Sequence, residues 1–224
     1  MPRAAAFFDL DRTLIRRSSA LALAPHFRRH GVITRTQVVK AAFWQMLFAM
    51  HGAPAERVRA AAEEGLMLLR GFTPEQMRTL VAEALEPALR PLVYREPLGL
   101  VEQHRERGEP TYIVSAALQE IADAIADDLG FDGALGTLCE VENGVYTGRG
   151  LRSLHGPHKA DAVRELAAAE DIDLAASTAY SDSHTDVPFL EAVGHPVVVN
   201  PDRELRRVAV ERAWPVLRFK QRAA

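Results

Sequence analysis

Four short apolar runs, each ending at polar side chains, place the strongest constraint on how this chain folds. The runs cover residues 4–8, 111–114, 177–180 and 196–199. Such runs are typical of strands that are buried on both faces of a parallel sheet. Segments with the composition of helices lie between them, at about residues 97–108, 119–129 and 158–170. This alternation of strands and helices predicts an α/β protein with a doubly wound parallel sheet.

A long helical segment interrupts the alternation after the first run. Residues 16–92 are rich in Ala, Leu, Glu and Arg and poor in clusters of β-branched residues, which favours helices. Within them, Thr73 is followed by a proline, an acid and an amide, a pattern that predicts the start of a helix. We therefore interpret residues 16–92 as an inserted all-helical domain, and residues 1–15 and 93–224 as the α/β core.

Glycines mark several boundaries within the core. Gly108 and Gly130 follow two of the predicted helices, where a glycine commonly ends a helix. Asn143-Gly144 stands between short strand-like segments near residues 134–147, and this dipeptide predicts the turn of a β-hairpin. The core is therefore expected to contain one hairpin beside its parallel strands.

Composition and charge exclude several classes of protein. Hydrophobic residues make up 48% and charged residues 25% of the chain, the balance of a globular protein and not of a disordered one. Lys and Arg number 27 against 30 Asp and Glu, a net charge of −3. Binding to nucleic acid needs a clustered excess of cations, so we predict no nucleic-acid partner. A small anionic ligand responds to local charge and stays possible.

The single cysteine and the absence of a long apolar window bear on the compartment. Cys139 cannot form a disulfide within the chain, and it lacks a flanking motif, so we expect a packed thiol and not a nucleophile. The apolar stretch after Arg3 is cut by Asp9, which argues against a secretory signal. No window approaches the ~20 apolar residues that a membrane-spanning helix needs. We expect a cytoplasmic protein without membrane association.

Polar side chains stand at the ends of three predicted strands, and we expect them to meet. In open α/β sheets, ligands bind beyond the carboxyl ends of the strands. If the strands are neighbours, these side chains and a lysine that opens an intervening helix converge on one crevice. The candidate site residues are Asp9, Asp11, Thr13, Ser115, Lys159, Asp182 and Asp186.

This mixture of residue types favours metal-assisted phosphate chemistry. Clustered carboxylates raise each other's pKa values, and a divalent cation would relieve their repulsion. Ligation by oxygen atoms alone is typical of Mg²⁺. Donors such as Thr13, Ser115 and Lys159 suit phosphate oxygens. A carboxylate beside them can attack phosphorus to form an aspartyl-phosphate, and a carboxylate two residues further on can serve as general acid and base.

Four segments resemble, in order, the motifs of haloacid dehalogenase superfamily phosphatases. Asp9-Leu10-Asp11-Arg12-Thr13 is similar to the Asp-x-Asp-x-Thr signature of that family. Ser115, at the end of a strand, resembles the second motif, and Lys159 resembles the third. The fourth, an acidic Asp-x-x-x-Asp pattern followed by apolar residues, is similar to the segment from Asp182 to Asp186.

The resemblance implies a fold, a reaction and a role for each matched residue. It implies a Rossmann-like core with a helical cap, and a Mg²⁺-dependent phosphomonoesterase. Asp9 would be the nucleophile and Asp11 the general acid and base. The residues expected to hold the phosphoryl group are Thr13, Ser115 and Lys159. The residues expected to hold Mg²⁺ are Asp9, Asp11 through its backbone carbonyl, Asp182 and Asp186, the last directly or through water.

The helical segment resembles the cap of the phosphoserine-phosphatase-like subclass, which implies a small phosphate ester such as phosphoserine or histidinol phosphate. Phosphoserine phosphatases usually carry a Glu for the substrate ammonium near the start of the cap. Ser18 stands at about that position here, and a hydroxyl cannot neutralise an ammonium group. Three alternatives stay open: a lipid or sugar phosphatase, a phosphotransferase using the same aspartyl-phosphate, and a non-catalytic binding module. The intact pair of Asp9 and Asp11 argues against the last.

Three other features carry more than one interpretation. The most apolar stretch, residues 41–50, is interpreted as a buried face of the cap or as a hydrophobic wall for the substrate. A contact with a membrane surface is the third alternative, and the lack of a polar face rich in Lys and Arg argues against it. Four arginines form either a solvated face or a contact for an anionic substrate: Arg16, Arg17, Arg28 and Arg29. Three histidines flank the site without the spacing of a zinc ligand set: His155, His158 and His184.

Overall fold

Parallel pairing dominates the sheet of this protein. The computed structural model describes residues 2–36, 60, 63–221 and 223. In that part of the chain the strands are β1 (Ala6–Phe8), β2 (Thr111–Leu118), β3 (Gly133–Glu142), β4 (Val145–Arg152), β5 (Thr178–Ser181), β6 (His195–Val199) and β7 (Val216–Leu217). Their order across the sheet is β4-β3-β2-β1-β5-β6-β7. Only the pair of β3 and β4 is antiparallel among the described strands.

Helices lie between successive strands along the chain, except between β3 and β4. The α-helices with defined bounds are α1 (Ser19–Arg29), α2 (Pro74–Ala84), α3 (Arg95–Glu106), α4 (Gln119–Leu129), α5 (Pro157–Glu170), α6 (Val187–Leu190) and α7 (Arg203–Glu211). A π-helical turn (Leu85–Leu89) and two 3₁₀ turns (Arg90–Leu92 and His184–Asp186) complete them. Among the described residues, no helix is both long enough and apolar enough to cross a bilayer.

Both faces of the sheet are covered, and β1 shows this most clearly. Phe8 is fully buried in a cluster that includes residues of α3 and α4. Phe7, next to it, is buried in a second cluster with residues of α5 and α7. Because successive side chains of a strand point to opposite faces, this arrangement places helices on both sides of the sheet. The predicted α/β class with a doubly wound parallel sheet is confirmed.

Local sequence signals account for several element boundaries. The Thr73 side chain accepts a hydrogen bond from the Gln76 N–H, and the Gln76 side chain accepts one from Thr73, so that a reciprocal cap begins α2. Gly130 ends α4 with φ 74°, in the left-handed region that glycine adopts without strain. Asn143 and Gly144 have φ values of 52° and 82°, as a tight hairpin turn between β3 and β4 requires. These three predictions are confirmed.

The structure extends one predicted strand and confirms the environment expected for the cysteine. The strand predicted to end at Ser115 continues to Leu118, with a shift in its pairing to β3 after Val114. Cys139 on β3 is free and buried, as expected for a packed thiol. The apolar stretch at residues 41–50 lies outside the described residues.

The chain leaves and re-enters the sheet region at adjacent points. Ile15 and Val93 form an antiparallel bridge. On either side of it, the Arg16 N–H donates to the Leu92 carbonyl and the Tyr94 N–H donates to the Leu14 carbonyl, both at 2.9 Å. The two ends of the helical segment between β1 and α3 are therefore held together by backbone hydrogen bonds.

Substituting Gly194→Ala should destabilise the fold, because this glycine packs against backbone. A Cβ at this position would lie 1.7 Å from the Ala175 carbonyl oxygen. The Gly194 N–H also donates to the Leu174 carbonyl at 2.8 Å, so the loop before β6 cannot move aside without losing that bond. We expect a loss of about 3 kcal/mol in the free energy of unfolding, measured by urea titration.

Gly99→Ala is the matched control, since no atom from elsewhere in the described residues lies within 4 Å of a Cβ at that position of α3. It should stabilise the chain by about 0.5–1 kcal/mol, because alanine restricts the unfolded state more than glycine does. Equal effects of the two substitutions would contradict the packing described at Gly194.

Candidate active site

The loop after β1 holds the first group of predicted residues. Asp9 is buried, and its N–H donates to β5 at 2.9 Å, extending the strand ladder by one residue. Arg12 has φ 65°, in the left-handed region, so the chain turns back at this point instead of continuing the sheet. Asp11 and Thr13 flank Arg12. The turn therefore keeps all three predicted side chains of this motif at the carboxyl end of β1.

Lys159 joins the first and last motifs in one ion-pair cluster. It lies in the first turn of α5 and is 3% exposed. Its Nζ donates to Asp9 Oδ1 at 2.5 Å and to Asp186 Oδ2 at 2.7 Å. These residues are 150 and 27 positions away from Lys159 along the chain. The structure thus brings together the predicted nucleophile, the predicted phosphate-binding lysine and one of the predicted metal ligands.

The loop after β5 positions the two remaining aspartates. Asp182 and Asp186 are both buried. The Ser181 hydroxyl donates to Asp186 Oδ2 at 2.8 Å and so fixes that carboxylate. The Asp182 carbonyl accepts a hydrogen bond from the Asp202 N–H at 2.9 Å, which attaches the loop to the start of α7. Because β5 pairs in parallel with β1, this loop and the loop after β1 occupy the same edge of the sheet.

Burial makes negative charge unfavourable in this cluster. Desolvation raises the pKa of Asp9 to about 6, with Asp186 adding to the rise and Lys159 opposing it. Desolvation also raises the pKa of Asp182 well above its usual range, and the nearby carboxylates of Asp9 and Asp186 raise it further. Lys159 keeps a raised pKa: burial alone would lower it, but the two carboxylates beside it outweigh that effect. One ammonium group thus faces several buried carboxylates, an arrangement that favours binding of a further cation.

Asp11 is fixed through the first turn of α1. Its Oδ1 accepts a hydrogen bond from the Ser19 N–H at 2.8 Å. Burial raises the pKa of Asp11, while the hydrogen bonds from Ser19 and Ser18 oppose the rise. Ser18 itself is the residue before α1 and is buried. The helical segment thus begins with a direct contact to the site.

Two hydroxyl groups complete the set of predicted residues. Thr13 is fully buried, and its Oγ1 finds no hydrogen-bond partner among the residues that the structure describes. Such a group costs free energy unless a ligand satisfies it. Ser115 is 2% exposed, and its Oγ accepts a hydrogen bond from the Ala117 N–H at 3.1 Å, which leaves its hydroxyl hydrogen available. Ser115 lies within β2, and because Phe8 of β1 is opposite Ile113 in the parallel pairing, Ser115 is near the level of Asp9 at the same edge of the sheet.

The three flanking histidines have different surroundings. His155 is half-buried, and desolvation lowers its pKa. His158 is exposed. His184 lies beside the acids that begin α7, 3.1 Å from Asp202 Oδ2 and 3.3 Å from Glu204 Oε2. Among the described residues, none of these three histidines belongs to a group with metal-binding geometry.

Sequence reasoning gave no role to two residues that shape the site. No sequence pattern pointed to Ser181, yet its hydroxyl holds Asp186. Asp202 caps α7 by accepting from the Leu205 N–H at 2.7 Å and also accepts from the His184 N–H at 2.8 Å. An acid before a helical run is a recognisable cap signal, but its bond to a distant loop is not visible in the sequence.

Comparison with known proteins gives a consistent family. A family model described as haloacid dehalogenase-like hydrolase matches residues 6–191, which contain every predicted site residue. A protein of Mycobacterium tuberculosis named a probable phosphatase is 42% identical over 219 residues, covering 98% of this chain and 76% of the relative. A histidinol-phosphatase of Neisseria meningitidis is 30% identical over 224 residues, covering 96% of this chain and 98% of the relative.

A solved structure shares the fold. That structure is a phospho-aspartyl intermediate analogue of phosphoserine phosphatase. The two structures superpose with a TM-score of 0.68, covering 99% of this chain and 95% of the other. The two sequences are 18% identical, so this likeness concerns the arrangement of strands and helices alone.

Proposed function

This chain belongs to the haloacid dehalogenase-like hydrolase family, and from that premise we propose that it hydrolyses small phosphate monoesters with Asp9 as the nucleophile. The family and the enzyme class predicted from the motifs, a phosphatase, are confirmed by the family match and by the named phosphatases among its relatives. The observation that carries the finer proposal is the buried contact of Lys159 with both Asp9 and Asp186.

The proposed reaction divides between two carboxyl groups. An oxygen of Asp9 attacks phosphorus, the bond from phosphorus to the ester oxygen breaks, and the Asp11 carboxyl gives its proton to the departing alcohol. Asp11, now ionised, takes a proton from water, whose oxygen attacks the aspartyl-phosphate. The bond from phosphorus to Asp9 breaks, phosphate leaves, and both carboxyl groups return to their first state. The raised pKa of the half-buried Asp11 supports its role as an acid.

Donors around Asp9 would bind the phosphoryl oxygens. Lys159 supplies positive charge beside the attacking oxygen, and Thr13 offers a buried hydroxyl without another partner. Ser115 adds a third donor from the neighbouring strand. Positioning and charge neutralisation of this kind provide most of the catalysis in phosphoryl transfer.

The residues at this site fit a magnesium ion. The buried carboxylates of Asp9, Asp182 and Asp186 offer only oxygen ligands. Burial raises the pKa values of Asp9 and Asp182, and neighbouring carboxylates raise them further, so a bound cation would favour the ionised forms of these two groups. These residues, together with the Asp11 carbonyl, would hold the ion. When bound, Mg²⁺ would neutralise part of the charge on the phosphoryl oxygens.

We propose that residues 16–92 act as a cap over this site and that residues 1–15 and 93–224 form the catalytic core. The bridge between Ile15 and Val93 supports this division, because the helical segment departs and returns through one short connection. A few residues in such a connection can serve as a hinge that lets a cap close and exclude water. The contact of Ser19 with Asp11 supports a position for the start of this cap beside the proposed catalytic residues.

The proposed substrate is an amino-alcohol or amino-acid phosphate, with histidinol phosphate and phosphoserine as the first candidates. The 30% identical relative named a histidinol-phosphatase supports the former. The hydroxyl of Ser18, at the buried start of α1, offers no carboxylate for the ammonium group of phosphoserine. Histidinol phosphate carries an ammonium group as well, so this position does not rank the two candidates, and the ester panel compares them directly.

Phosphate release from a panel of esters with Mg²⁺ tests this function. The panel contains histidinol phosphate, phosphoserine, and representative sugar, nucleotide and lipid phosphates, each with and without an alcohol acceptor. The proposal predicts free phosphate from at least one small ester and no transfer to the acceptor. A purified chain that releases phosphate from none of them would overturn the proposal, and phosphorylated acceptor would identify a phosphotransferase instead.

Removal of divalent metal should abolish this activity. EDTA treatment followed by gel filtration leaves buried carboxylates next to an anionic substrate, so we expect turnover to fall by about 100-fold or more. Added Mg²⁺ should restore it, whereas Ca²⁺, which prefers more ligands at longer distances, should restore little. Full activity of the metal-free protein would contradict the assignment of these carboxylates to a metal.

A further inference from the structure

Two histidines and a glutamate of the helical segment form a compact cluster apart from the site residues. His26 and His30 lie on α1 and its end, and Glu83 lies near the end of α2. The distance from Glu83 Oε2 to His26 Nε2 is 3.4 Å, and that to His30 Nε2 is 3.7 Å. One ligand atom from each residue lies within 4.8 Å of the other two.

The surroundings of His26 indicate that the cluster can accept a further ligand. Its side chain is 9% exposed, and its buried Nε2 makes no hydrogen bond with any residue in the described part of the chain. That nitrogen faces the Glu83 carboxylate at a distance too long for a hydrogen bond of ordinary strength. A buried polar atom without a partner is costly, so a ligand that it could bind would stabilise this arrangement.

The spacing and the donor types specify the ligand. Residues four apart on a helix share one face, so both imidazoles are presented to the same point. A tetrahedral Zn²⁺ with bonds of about 2.0–2.2 Å keeps its ligand atoms about 3.3–3.6 Å apart, close to the separations seen here. Two imidazoles with one carboxylate are a known zinc set that leaves a fourth position open. Mg²⁺ prefers oxygen ligands, so these nitrogen donors select against it.

We propose that His26, His30 and Glu83 bind a Zn²⁺ ion that links α1 to α2. The side chains of His30 and Glu83 are 42% and 52% exposed, so the ion reaches the cluster from solvent, while His26 holds it from the buried side. The other end of α1 begins at Ser19, whose N–H is bonded to Asp11. The ion therefore fixes the helix that leads directly from the catalytic loop.

Zinc binding is tested on the full chain by competition with a chromophoric zinc indicator, at saturating Mg²⁺ to occupy the carboxylate site. We expect one tight zinc equivalent per chain that is weakened by about 100-fold or more in His30→Ala and in Glu83→Gln. His158→Ala removes an exposed histidine from α5 and is the matched control, so it should leave this affinity unchanged.

A second measurement identifies the geometry. Co²⁺ in place of Zn²⁺ should give the intense visible absorption of a tetrahedral site in the wild type and in His158→Ala, and lose it in His30→Ala. Because the His30 side chain is exposed, we expect His30→Ala to stay folded, and its circular dichroism spectrum checks this separately. Equal zinc affinity in the wild type and His30→Ala, or no tight zinc equivalent in the folded wild type, would overturn the proposal.

Discussion

Asp9→Asn is expected to reduce turnover by at least about 1,000-fold while leaving the protein folded. An amide nitrogen or oxygen does not attack phosphorus at a useful rate, so the covalent step is lost. The amide oxygen can still accept the hydrogen bond from Lys159, and one of the carboxylates that repel one another disappears. We therefore expect the free energy of unfolding to stay equal or to rise.

Steady-state kinetics and urea unfolding of the same preparations measure both parts of this prediction. Asp161→Asn is the matched control, because Asp161 is an exposed acid on α5, two residues beyond Lys159. It should retain wild-type turnover. Residual activity of Asp9→Asn near that of the wild type would remove Asp9 from the role of nucleophile.

Lys159→Met is the second substitution with a large expected effect, and it acts on stability as well as on rate. It leaves the buried carboxylates of Asp9 and Asp186 without the ammonium that now contacts both. Breaking a buried ion pair by removing one partner costs about 3–5 kcal/mol. The pKa of Asp9, already raised to about 6, should rise further, so that a smaller fraction of the nucleophile is ionised at neutral pH.

We expect Lys159→Met to lose about 100-fold to 1,000-fold in kcat and to unfold at lower urea than the wild type. Added Mg²⁺ should recover part of the stability, because a bound cation replaces some of the missing charge. Lys220→Met, at an exposed position near the end of the chain, should change neither property. Unchanged stability of Lys159→Met in the absence of metal would contradict the described cluster.

The strands and the site residues at their ends were predictable because both are encoded locally. An apolar run such as residues 4–8 favours a buried strand, and Asp9 follows directly from its end. Parallel strands carry their following loops to one edge, so the sequence could place Asp9 and Asp182 together without knowledge of any distance. The hairpin at Asn143-Gly144 was likewise determined by two adjacent residues.

The remaining features depend on contacts between distant segments. Nothing near Asp202 in the sequence indicates that its N–H binds the Asp182 carbonyl. The apolar run of residues 111–114 ends before Ser115, so the local sequence predicts that the strand stops there. β2 continues beyond Ser115 because it pairs with β3. The His-x-x-x-His spacing of residues 26 and 30 is visible in the sequence and puts both side chains on one face of a helix. Glu83 completes the cluster only through the packing of α1 on α2, which the sequence does not show.

The central claim is that Asp9 carries the phosphoryl group during turnover, and rapid acid quenching tests it most directly. The wild type is mixed with the best ester of the panel and Mg²⁺, stopped within milliseconds, digested and analysed by mass spectrometry. We predict a hydroxylamine-sensitive phosphoryl group on the peptide that contains Asp9, absent from Asp9→Asn. Full turnover with no phosphoryl group on Asp9, or with the group on another residue, would contradict the claim.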